Sequence, residues 1–116
     1  MLKDFIAFQL SKRFYQRCKA LKLPVFAKDQ LLRAALSVSL NLAESSGKRT
    51  EKERIRYFTV ALGSLRECEA LIELENVWDP EIRETLPQLG AILFKLCGLS
   101  KKSLIEPGAG NQGQAL

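Results

Sequence analysis

Leu2, Ile6, Leu10, Phe14 and Cys18 recur at every fourth residue, with Phe5 and Leu21 beside them. This spacing predicts a helix over residues 2–21. Leu23-Pro24 stops it, because proline disfavours helical backbone in the residue before it. The next segment, residues 28–46, is apolar or small around most of its circumference, from Leu31 through Leu36, Val38 and Leu40 to Ala43. On a wheel of about 100° per residue its polar side chains Arg33, Ser37, Asn41 and Glu44 gather into one narrow stripe. An apolar arc that wide exceeds what one bundle neighbour needs. The segment is therefore expected to be the most buried helix and also to face another subunit through Leu36 and Leu40.

Thr50 followed by Glu53 forms a capping box that starts a third helix. It is expected to reach about Asn76, with Phe58, Ala61, Leu65, Cys68 and Ile72 inward. Gly63-Ser64 beside Ala61 leaves a thin patch where another helix can come close. Asp79-Pro80 then supplies an N-cap and a proline at the first helical position. A fourth helix over 80–102 buries Ile82, Leu86, Leu89, Ile92, Leu93, Leu96 and Leu99, with a kink or restart expected at Pro87. No strand pattern competes. Short connections between four amphipathic helices predict an all-α, antiparallel up-down-up-down four-helix bundle over residues 1–103. The Gly- and Gln-rich stretch 104–116 reads as a disordered tail.

Composition fits one soluble domain of 116 residues, with 47% apolar and 27% charged residues. Charge changes the picture more. Residues 1–66 carry 14 basic and 5 acidic side chains (+9), whereas residues 67–116 carry 4 and 8 (−4). A one-sided surplus attracts polyanions even when the overall charge is only +5. The same residues also serve as an ordinary solvated surface. The sequence has no histidine, which removes histidine-based general-base catalysis and metal ligation. Cys18, Cys68 and Cys97 are widely spaced and odd in number, so buried thiols are expected rather than a zinc site or disulfide framework. Early charges in the N-terminal stretch and the lack of a long apolar run argue against a signal peptide and a membrane span. The expected location is the cytoplasm.

The stretch "SSGKRT" invites comparison with a phosphate-binding loop. That pattern requires glycine five residues before the Gly-Lys glycine and Ser or Thr after the lysine. Leu42 and Arg49 stand in those places, and the idea fails. Gly47 reads instead as a left-handed residue closing the second helix. Glu67, Glu69, Glu73 and Glu75 spread around the third helix, as solvated charges do. Glu44 lies on the polar stripe, where pairing with Arg33 or Arg66, within or between subunits, is expected. The candidate polyanion contacts are Lys12, Arg13, Arg17, Lys48, Arg49, Lys52 and Arg56. No cofactor, metal site or catalytic group is expected.

Residues 31–73 resemble the four-helix-bundle family named after 23S rRNA intervening sequences. Arg33, Ala34, Ala35, Ser37, Asn41, Ala43, Glu44 and Gly47 match its first motif; Ala61, Gly63, Ser64, Leu65, Glu67 and Glu69 match its second. Ser39 departs where proline is frequent, which should straighten the second helix. Ser45 departs where glycine is usual, which puts the end of that helix in doubt. The resemblance implies a homo-oligomer, typically a ring of five, of bacterial origin. It also implies kinship with accessory variability determinants of diversity-generating retroelements, which bind nucleic acid and a reverse transcriptase. The main expectation is a non-enzymatic oligomer that engages RNA or DNA through its basic surface. The alternative is a protein-interaction scaffold with no nucleic-acid contact.

Overall fold

A computed structural model describes residues 2–98 of the chain. They form four helices and, among the described residues, no strand: α1 (Leu2–Ala20), α2 (Val25–Ser45), α3 (Glu51–Leu74) and α4 (Pro80–Leu96). The helices close a four-sided circuit in which α1 packs on α2, α2 on α3, α3 on α4 and α4 on α1. Across the diagonal, no Cα of α1 comes within 8 Å of one in α3. The proposed tail, residues 104–116, lies outside the described residues.

The core is built from the inward seams of all four helices: Leu10 and Phe14, Leu31 and Val38, Phe58 and Leu65, Leu89 and Leu93. Small residues let α1 and α2 approach. Ala7, Ser11, Ala35 and Ser39 are all buried, and the Ser39 hydroxyl donates to Ser11 Oγ at 2.9 Å. Ser11 in turn donates to the Phe8 carbonyl at 2.8 Å, so neither hydroxyl is left unpaired. Ser39, a departure from the resemblance, thus supplies a buried hydroxyl joining two helices.

The boundaries correct four expectations. First, α2 begins at Val25, a turn before residue 28, because the Pro24 carbonyl already accepts from the Lys28 N–H at 2.9 Å. Lys28 Nζ meanwhile donates to the Lys19 and Leu21 carbonyls at the end of α1. Second, Gly47 does not take positive φ. The last carbonyls of α2 are satisfied by tight turns, Ser46 N–H to Ala43, Gly47 N–H to Glu44 and Lys48 N–H to Ser45, so no left-handed residue is needed. Third, α4 ends at Leu96, not 102, with Cys97 as its cap and Gly98 at φ 80°. It runs unbroken through Pro87, with no restart. Fourth, the seam expected on α1 fails at its start. Leu2, Phe5 and Ile6 are exposed, and Ala7 is the first residue of that helix in the core.

The capping box is present as expected. Thr50 Oγ1 accepts from the Glu53 N–H at 3.1 Å, and the Glu53 carboxylate accepts from the Thr50 N–H at 3.4 Å. At the other end of α3, Asn76 takes φ 54°, a conformation asparagine tolerates better than most residues.

Candidate nucleic-acid interface

The α2–α3 corner carries Lys48, Arg49, Lys52 and Arg56. Lys48 is fixed there from three sides. Its Nζ lies 3.1 Å from Glu44 Oε2 and 5.1 Å from the centre of the Tyr57 ring. Its carbonyl accepts from Arg54 Nη1 at 3.2 Å. The hydrogen bond to Glu44 holds the Lys48 ammonium above its ordinary pKa. This pairing corrects the expected partner of Glu44 within one chain: it is Lys48, not Arg33 or Arg66. Arg66 instead pairs with Glu69 at 3.0 Å, one turn along α3.

Arg49, Lys52 and Arg56 are different. All three are exposed, and none forms a salt bridge among the described residues. Lys52 and Arg56 stand four apart on α3 and so share a face, with Arg49 just before the helix. Lys12 on α1 is likewise exposed and unbridged.

Arg13 and Arg17, also expected among the contacts, are engaged in joining α1 to α4. Arg13 Nη2 lies 2.8 Å from Glu81 and 3.8 Å from Glu84. Arg17 grips Asp79 with Nε at 2.9 and 3.0 Å from the two carboxylate oxygens and Nη2 at 2.6 Å. The Arg17 guanidinium holds the Asp79 carboxyl below the ordinary carboxylate range. The seven expected contacts therefore do not act as one group. Three are paired within the bundle, and four form no salt bridge among the described residues.

The polar stripe of α2 becomes a ladder toward α3. Ser37 Oγ and Ser64 Oγ share a hydrogen bond of 2.7 Å, and Asn41 Nδ2 donates to the Ser37 carbonyl at 2.8 Å and to its hydroxyl at 3.2 Å. Arg33 and Glu44 stand on its exposed side, beside Leu36 and Leu40, which are 39% and 58% exposed. Sequence reasoning missed Tyr57 as the partner of Lys48 and Arg17 as the partner of Asp79. The first carries a weak local signal, nine residues away. The second spans 62 residues and carries none.

Cys18 and Cys68 are fully buried and Cys97 partly. Burial pushes the Cys18 thiol up to about 12 and the Cys68 thiol up as well. A disulfide needs Cα atoms within about 7 Å, so α1 and α3 are too far apart for these two to join. No group of three or more metal-ligating side chains occurs among the described residues. None of the described helices is long and apolar enough to cross a membrane.

Four helices in a closed circuit, with a hydroxyl and amide ladder on one seam and a basic corner beside it, define a helical-bundle protein. The family model for the 23S rRNA-intervening sequence protein matches residues 5–79, more than half of the chain. The protein belongs to that family. The match runs from the first turns of α1 to the cap of α4, so it includes the seam and the corner. Searches of curated proteins and of solved structures found no match to the chain.

Proposed function

We propose that this protein is a non-enzymatic, homo-oligomeric bundle that engages RNA or DNA by charge at the α2–α3 corner. The observation that carries the reading is the set Arg49, Lys52 and Arg56, exposed and without carboxylate partners among the described residues. Unpaired cations on one face attract a polyanion without first breaking an internal ion pair. Membership in a family named for an rRNA-intervening sequence is compatible with an RNA-related role. Lys12 extends the surface, whereas Arg13, Arg17 and Lys48 contribute only through what their ion pairs leave exposed. The bundle is read as up-down-up-down and as assembling into a cytoplasmic ring. Short connections, and a groove shared by the two ends Lys3–Leu10 and Gln88–Lys95, support the bundle arrangement. The exposed Leu36 and Leu40 support assembly.

The test is binding to a structured RNA as salt rises. If all three side chains touch phosphate, affinity drops roughly 40-fold between about 50 and 200 mM salt. The triple charge reversal Arg49→Glu, Lys52→Glu, Arg56→Glu abolishes binding. Absence of binding to RNA and DNA at low salt overturns the reading.

A further inference from the structure

A groove of about 640 Å³ lies between the last turns of α3 and the first turns of α4, remote in sequence from the basic corner. Its floor is apolar: Ile72, Val77, Ile82 and Leu86. Trp78 stands at its rim, 68% exposed, with the Arg83 guanidinium 5.6 Å from its ring centre. Exposed apolar surface of this kind marks interaction sites, and tryptophan is among the residues enriched in binding hot spots.

Charge says what kind of partner fits. Residues 67–98 hold seven acidic and two basic side chains. Arg13, Arg17 and Arg66 offset Glu81, Asp79 and Glu69. Glu73, on the α3 wall of the groove, forms no salt bridge among the described residues, and neither do Glu67 and Glu75 nearby on the chain. The α3 wall therefore disfavours a polyanion. The occupant must bring apolar side chains for the floor and cations for the α3 wall.

We infer that the α3–α4 groove docks a basic amphipathic helical segment of a partner protein. Its apolar face seats on Ile72, Val77, Leu86 and Trp78, in the manner of a helix laid in a groove. Its cationic flank lies along α3 against Glu73, because Arg83 on the α4 side repels the opposite orientation. This surface is separate from the corner proposed to meet nucleic acid, and its existence does not depend on that reading.

Trp78 is the single tryptophan of the chain, so its emission reports on the groove directly. The probe is a leucine–lysine amphipathic peptide of about four helical turns, titrated into the full-length protein. A saturable change in emission is expected with this peptide. None is expected with its leucine–glutamate counterpart or with a serine–lysine peptide lacking the apolar face. Glu73→Lys weakens the response several-fold, and Trp78→Ala abolishes anisotropy-detected binding of the labelled peptide. Lys52→Glu, a variant of the corner, leaves peptide binding unchanged. No saturable change, an equal response to the glutamate peptide, or an unaltered response in Glu73→Lys overturns the inference. Since the corner and groove variants differ, loss of one reading is distinguishable from loss of the other.

Discussion

Asp79 serves two helices at once. Its Oδ2 accepts from the Ile82 N–H at 3.1 Å, capping α4, while both carboxylate oxygens accept from Arg17 on α1. The carboxylate is only 5% exposed, so loss of either partner is felt. Asp79→Ala is expected to lower unfolding free energy by about 2 kcal/mol, from a lost cap and a lost charge-assisted pair, measured by urea denaturation. Because pairing depresses the native pKa, the stabilisation is complete above the ordinary carboxylate value of 3.8 and fades as pH falls through the lowered native value. Stability of the native protein should therefore decline below about pH 4, and Asp79→Asn should flatten that decline. An equally steep acid limb in Asp79→Asn would assign it to other carboxylates. Half of this was legible in the sequence. Asp-Pro marks a helix start locally, whereas nothing local points to an arginine on α1.

Among the helices, local signals were also the ones that could be read. The Thr50–Glu53 box starts α3 where its spacing places it, since both partners lie within one turn. Thr50→Ala should cost about 1 kcal/mol, seen as a lower thermal midpoint with helical signal retained at low temperature. A change within error would mean that water replaces the cap at this exposed corner. Termini without side-chain caps were read less well. The start of α2 lies earlier than its periodicity predicts, because Pro24 both stops α1 and precedes α2, where a proline costs no hydrogen bond. The end of α4 comes earlier than its periodicity predicts, because leucine periodicity continues past Gly98, whose left-handed backbone ends the helix. On α1 the four-residue repeat marked Leu2 and Ile6 as core. Both are exposed, and the core side of α1 runs instead through Ala7, Leu10, Ser11, Phe14 and Cys18.

For the molecule as a whole, the closed circuit of four helices leaves apolar surface that none of the described helices covers. Leu36 and Leu40 lie one turn apart on α2, and Val60 on α3 is 50% exposed one turn before Ser64, the residue bonded to Ser37. Each leucine buried at an interface contributes at most about 1.5–3 kcal/mol, and repetition of the face in every copy multiplies that contribution. A second copy, rather than nucleic acid, is expected to cover this face, since leucine offers phosphate nothing. Light scattering should therefore give a mass several times the chain's 13.0 kDa. Leu36→Asp with Leu40→Asp should bring it down to that of one chain. Both side chains already meet solvent, so the double variant should keep its helical circular dichroism, which separates lost assembly from lost folding. A native mass of one chain at micromolar concentration would refute self-assembly. The groove beside Trp78 and the basic corner would then each act on a monomer.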